Sequence, residues 1–232
     1  MKQSSAVKSL INAPYLLWSV LFIIAPMIMV VYYAFTDRNG DWTLANITAL
    51  GAYSQTFIRS IWYAFVATLI CLVLAYPLAY IMSRSSMSKQ RTIMMLVMLP
   101  MWMNFLIRTY SWITLLANTG IINTLLSKIG IGPLHMINTP GAVILGMVYN
   151  FLPYMILPIY SIMSKLDYRL VEAAQDLGCN SFGVLKRVIF PLSLPGVISG
   201  ITMVFVPSVS TFYISQKLGG GKYLLVGDSI EM

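Results

Sequence analysis

Apolar residues in this chain neither alternate nor recur on one helical face; they come in long runs separated by short polar stretches. Five runs, residues 12–36, 60–83, 92–116, 140–164 and 191–215, each reach the length of about 20 residues that an α-helix needs to cross a bilayer core. None contains an acidic residue, and Arg108 is the one charged side chain within them. The pattern predicts an all-α, polytopic transmembrane helical bundle, with residues 1–232 forming a single transmembrane domain.

Composition agrees: 58% of the residues are hydrophobic and 9% are charged, far from the soluble average. A net charge of +8 could signal nucleic-acid binding, but the basic residues are scattered singly between apolar runs, with no stripe or cluster. They sort by side instead. Lys2, Lys8, Arg84, Lys89, Arg91, Lys165, Arg169, Lys186 and Arg187 put nine on one side, against five at Arg38, Arg59, Lys128, Lys217 and Lys222. Basic loops stay inside, so the N-terminus and the stretch 165–190 are expected in the cytoplasm, and a fifth span leaves the C-terminus outside. Lys2 and Lys8 precede a run too long for a cleaved signal peptide and lacking a small-x-small site, so it is expected to remain as an anchor.

Few side chains in the spans carry chemistry. Arg108 lies 16 residues into the third run, about 24 Å along a straight helix. Its guanidinium would then reach headgroups at the outer interface, or line a pathway. Pro77, Pro100, Pro153, Pro158, Pro195 and Pro207 predict kinks, and the pair in the fourth run predicts an irregular helix near a cavity. Cys71 and Cys179 have no metal-ligand spacing and read as structural. His135 reads as a surface histidine and Gly219 to Gly221 as a flexible turn. Paired carboxylates, a His-Glu-x-x-His helix and a nucleophile beside a base are all missing from the spans, which argues against an intramembrane enzyme. An ionisable relay for proton-coupled transport is missing too.

The exception is the stretch Glu172 to Pro191, EAAQDLGCNSFGVLKRVIFP. Asp167 is placed to cap a helix from Tyr168, with Leu170, Val171, Ala174 and Leu177 on one face. Gly178 fits the left-handed position that ends such a helix, and Asn180 or Ser181 can cap a second short one that carries Phe182, Val184, Leu185, Val188 and Ile189. Pro191 suits the first turn of the next span. A headgroup-binding helix would favour basic residues, whereas Glu172 and Asp176 repel anionic lipid and the small residues Ala173, Ala174 and Gly178 admit another backbone. A protein partner is the better expectation.

Glu172-Ala173-Ala174, then Gly178, then Phe190-Pro191 resembles the EAA loop of ABC importer permeases, with Val188 and Phe190 standing where that pattern has Ile and Leu. The runs 104–108, 152–160, 219–222 and 224–227 are similar to the first of the two permeases of spermidine/putrescine importers. The resemblance implies a type I importer permease whose loop 165–190 is a coupling helix seated on an ATPase. Glu172, Ala173, Ala174, Gly178 and Pro191 would be its docking residues. It further implies a second permease subunit, two cytoplasmic ATPases that use ATP and Mg, an extracytoplasmic binding protein and surrounding lipid. This chain has no phosphate-binding loop and is expected to bind no cofactor or nucleic acid and to catalyse nothing.

Such permeases are expected to have at least six spans, so the five here are read as a family bundle with its sixth helix missing, or as a non-transporting remnant. A flexible polycation would be met by aromatic faces and amide oxygens, and Trp102, Asn104, Tyr110, Tyr149, Asn150, Tyr154 and Tyr160 are the candidates. Anchoring at the membrane interface competes with that role for the aromatic ones. A permease for another small solute, such as an amino acid or an ion, is the alternative.

Overall fold

The computed structural model describes residues 13–37, 40–167 and 169–231. Asn12, Lys2, Lys8, Arg38 and Tyr168, which entered the span, topology and capping arguments, lie outside them. The chain divides into two compact units, residues 1–55 and 56–232. Among the described residues the regular elements are helices, apart from one isolated bridge between Thr36 and Trp42.

The first unit holds α1, Ala13–Ala34, whose 22 residues rise about 33 Å, enough for the hydrocarbon core. None of its side chains is buried, as suits a helix apolar on all sides. A five-residue π-helical stretch, Val20–Ile24, precedes Pro26. The wider turn relieves the clash of the proline ring with the carbonyl four residues back. Asn46 at the start of α2, Ala45–Ala49, donates to the carbonyls of Tyr33 and Thr36 and ties that short helix to the end of α1.

The second unit is built around α7, Pro140–Met163, and α9, Ser181–Val209. Gly196 and Gly200, one turn apart on α9, let the two backbones approach. A Cβ on Gly196 would stand 2.8 Å from the Pro158 carbonyl oxygen, and one on Gly200 would stand 2.7 Å from the Met155 sulfur. Between membrane helices, packing of this kind replaces the hydrophobic drive that lipid removes. Helix α3, Ser54–Arg84, joins them through a stripe of small buried residues that includes Ala64, Ala67, Cys71, Ala75 and Ala79. The Tyr76 hydroxyl and Ser193 hydroxyl share a 3.1 Å hydrogen bond, and the Cys71 thiol donates to the Val148 carbonyl at 3.8 Å.

Among the described residues four helices are long and apolar enough to cross a membrane, or five if a bent pair is taken as one span. That pair corrects the third predicted span. Helix α4, Met87–Trp102, ends at Met103, and after a bend of 92° the chain goes on as α5, Phe105–Leu116, and α6, Ile121–Lys128. Pro100 weakens the last turn of α4. Met103 and Asn104 are extended, and the Asn104 side chain accepts from the Leu106 N–H at 2.8 Å, starting a new helix. The fifth predicted span ends before residue 215: α9 stops at Val209, and α10, Tyr213–Leu218, folds back on α5 and α7. Ile214 and Leu218 fill the space left by the absent side chain of Gly146. The two prolines within α7 leave it one α-helix, held by packing along its length, so the irregular stretch expected there is absent.

Gly220 and Gly221 take positive φ, as the expected turn requires, and His135 is exposed. The last described helix, α11, Val226–Glu231, is started by Asp228, which accepts from the Leu225 N–H, while Ser60 on α3 accepts from Val226.

Candidate functional site

The loop between α7 and α9 is built as its sequence predicts at three points. An Asp167 carboxylate oxygen accepts from the Arg169 N–H at 3.0 Å and opens α8, Arg169–Asp176. Gly178 has φ +84, with its N–H on Gln175 and the Cys179 N–H on Ala174, the paired bonds of a Schellman ending. Asn180 then caps α9 through the Gly183 N–H at 2.8 Å.

The second short helix expected after Gly178 does not end before the membrane. From Ser181 the chain runs unbroken into the span, through a second π-helical stretch at Leu185–Ile189. Pro191 therefore sits inside a continuous helix rather than at the mouth of a new one. As in α1, the wide turn precedes the proline by two residues and makes room for its ring. The buried residues Val184 and Ile189 are five apart, so the extra residue is absorbed and the inward face continues to Ser193 and Val197.

Ala174 also departs from expectation. With Val171 it is buried against the first turns of α9, so it supports the loop from within. Glu172, Ala173, Asp176 and Gly178 are exposed. So are Leu177, at 86%, and Phe182, at 70%. These two apolar side chains flank the glycine turn, whereas amphipathic spacing groups each with the apolar face of its helix. Leu177 is the last residue before the Gly178 turn, beyond the end of α8 at Asp176, so it leaves the apolar face to which its spacing assigns it. Phe182 borders a cavity of about 450 Å³ whose other walls include Tyr76, Pro77, Tyr80 and Leu185.

The path candidates do not gather in one place. Trp102 is 80% exposed at the end of α4, and Asn104 is spent on capping α5. The Tyr160 hydroxyl donates to Gln90 at 2.7 Å and ties α7 to α4. Tyr149 meets Trp112 edge to face at 5.3 Å, Tyr154 lies beside Phe151, and Asn150 is buried with its amide on Gly146. Arg108 is 8% exposed and lies over the Phe105 ring at 5.9 Å, not in headgroups. The bend at Asn104 resets the helix, so the distance along a straight rod no longer applies.

Tyr110 is the candidate with company. Its ring centroid is 6.4 Å from that of Tyr213, which in turn is 5.8 Å from Phe105. The Lys217 ammonium sits 5.9 Å from the Tyr110 ring and 5.8 Å from the Tyr213 ring. Tyr213 and Lys217 escape a reading from sequence because the apolar run carries the span through to residue 215. The Ser210–Thr211 break brings both back over α5.

Comparisons with known proteins place this architecture. A permease protein named PotB of a spermidine/putrescine transport system, from Haemophilus influenzae, is 42% identical over 92% of this chain and 78% of its own length. The protein of the same name from Escherichia coli K12 is 37% identical over 93% of this chain and 82% of its own. A solved bacterial ABC transporter involved in the import of the acidic polysaccharide alginate superposes with TM-score 0.72 over 97% of this chain and 82% of that one, at 18% identity. A second structure, of such a transporter in complex with its alginate pentasaccharide-bound periplasmic protein, gives 0.73 at 16% identity. At that identity the likeness is one of fold. Residues 50–231 match the family described as the binding-protein-dependent transport system inner membrane component. With its apolar helices, its glycine-broken polar loop and a match over most of its length, the chain belongs to that family of membrane transport permeases.

Proposed function

We propose that this permease carries polyamines, spermidine and putrescine, inward across the cell membrane as one of two permease subunits. The observation that carries the substrate is the similarity, over more than nine-tenths of this chain, to permeases of systems named for those solutes. A chemical observation agrees with it: the cluster of Phe105, Tyr110 and Tyr213 already holds cations against ring faces.

In this reading residues 1–232 form one permease domain with a cytoplasmic N-terminus and a cytoplasmic loop 165–190. The chain makes and breaks no bonds itself. ATP and Mg belong to two ATPase subunits, and an extracytoplasmic binding protein delivers the cargo. Glu172, Ala173 and Gly178, with Leu177 and Phe182, form the docking surface, while Ala174 and Pro191 shape it from behind. Trp102, Asn104, Tyr110, Tyr149, Asn150 and Tyr154 remain path candidates, and Tyr110 leads them by its neighbours.

Transmission is a matter of packing. A load on α8 is borne by the first turns of α9, with which Val171 and Ala174 pack. Because α9 is continuous from Ser181 to Val209, the load enters the span. Contact at Gly196 and Gly200 passes it to α7. The test is ATP-dependent accumulation of labelled spermidine and putrescine in proteoliposomes holding the complete transporter. Accumulation that unlabelled spermidine suppresses and amino acids do not is expected; ATP-driven uptake of another solute with none of either polyamine overturns the reading.

A further inference from the structure

Lys217 occupies an unusual position for a half-exposed lysine. Its ammonium lies within 6 Å of the Tyr110 and Tyr213 ring centroids, and those rings meet at 77°, so two aromatic groups converge on one cation. Among the described residues no carboxylate or hydrogen-bond acceptor holds that ammonium; the rings are its contacts. An exposed lysine usually keeps its charged head in water. Tyr110 is 51% exposed, so the aromatic pair is open to approach from outside the chain.

The end of a lysine side chain is a primary ammonium on a methylene chain, the same group that ends a polyamine. We infer that the Tyr110–Tyr213 pair is a binding site for a primary alkylammonium group and that Lys217 is its built-in competitor, occupying the rings until a cargo ammonium displaces it. The inference rests on the polyamine reading and adds to it a site and a residue that sets its affinity. A tethered ammonium lowers the net gain from seating a free one, and once displaced it repels it. Arg108, over Phe105 beside Tyr213, adds a second positive charge nearby. The outcome is weak, brief retention, which a conduit needs so that cargo can leave as well as enter.

The experiment measures binding of labelled spermidine to the assembled permease–ATPase complex in nanodiscs, in parallel with uptake by the complete transporter. Replacing Lys217 by Gln removes the competitor and is expected to tighten binding about fivefold, the equilibrium equivalent of one modest cation–π contact. K217R should bind as the wild type does. In the K217Q background Y110L should abolish the gain and Y110F, which keeps the ring face, should retain it. Unchanged or weaker binding by K217Q, in a complex that still takes up spermidine, overturns the inference alone. A gain that survives Y110L overturns the location. Absence of spermidine uptake by the wild-type transporter overturns the cargo reading and this inference with it.

Discussion

Gly196 on α9 and Pro158 on α7 approach so closely that a Cβ on the glycine would lie 2.8 Å from the Pro158 carbonyl oxygen. The obstacle is backbone, which cannot swing aside, and Ile159 Cα stands at 3.1 Å behind it. At Gly200 the nearest obstacle is the Met155 sulfur, which belongs to a flexible side chain, and the nearest backbone atom, the Met155 carbonyl oxygen, stands farther off at 3.2 Å. Gly196→Ala is therefore expected to destabilise the helix pair by about 1 to 3 kcal/mol, and Gly200→Ala by less. Thermal melting of the purified complex checks the order, and a larger loss at Gly200 would contradict it.

Asn104 has a structural duty that its candidacy as a cargo ligand conceals. Asn104→Ala removes the cap on Leu106 and should cost about 1 kcal/mol, while Asn104→Asp and Asn104→Ser keep an accepting oxygen and should melt near the wild type. If uptake falls in the alanine variant and recovers in both capping variants, the side chain acts by holding the bend. Loss of uptake in all three would point to cargo contact instead.

The Gly178 turn is strained for other residues by its φ alone, since a Cβ there would meet nothing within 4 Å. Gly178→Ala should lose about 1 kcal/mol, with Gly178→Asn losing less because asparagine tolerates the left-handed region better. Association with the ATPase, measured by co-purification, should show the same order, for the turn sets the angle between α8 and α9.

Substitution at Leu177 would separate the proposed docking from folding. Its side chain is 86% exposed, so Leu177→Ser should shift stability by no more than about 0.5 kcal/mol. The same substitution should reduce ATPase co-purification and ATP-driven uptake several-fold. Undiminished association would remove Leu177 from the docking surface.

The loop is legible in the sequence because its signals are local: Asp167, Gly178 and Asn180 each act on a backbone group within five residues. The third and fifth spans are misread where a local signal sits inside an apolar run. Asn104 is a capping residue in hydrocarbon company, and Pro100 before it reads as a kink in a helix that in fact stops. Tyr213 and Lys217 depend on a chain reversal at Ser210–Thr211 that hydrophobicity does not mark. The Gly196-x-x-x-Gly200 spacing is present in the sequence and carries a general packing meaning, yet only the structure shows which helix it faces. Ala174 turns inward because α8 needs an anchor on α9, which a motif read position by position does not reveal.

The π-helical stretch at Leu185–Ile189 gives α9 one residue more than an α-helix would place between its loop face and its span face. Moving that surplus one position along would rotate the intervening side chain by about 100° without changing the distance between the ends. The rod that joins loop to span thus has slack in its winding but none in its length, and push and twist need not travel along it together.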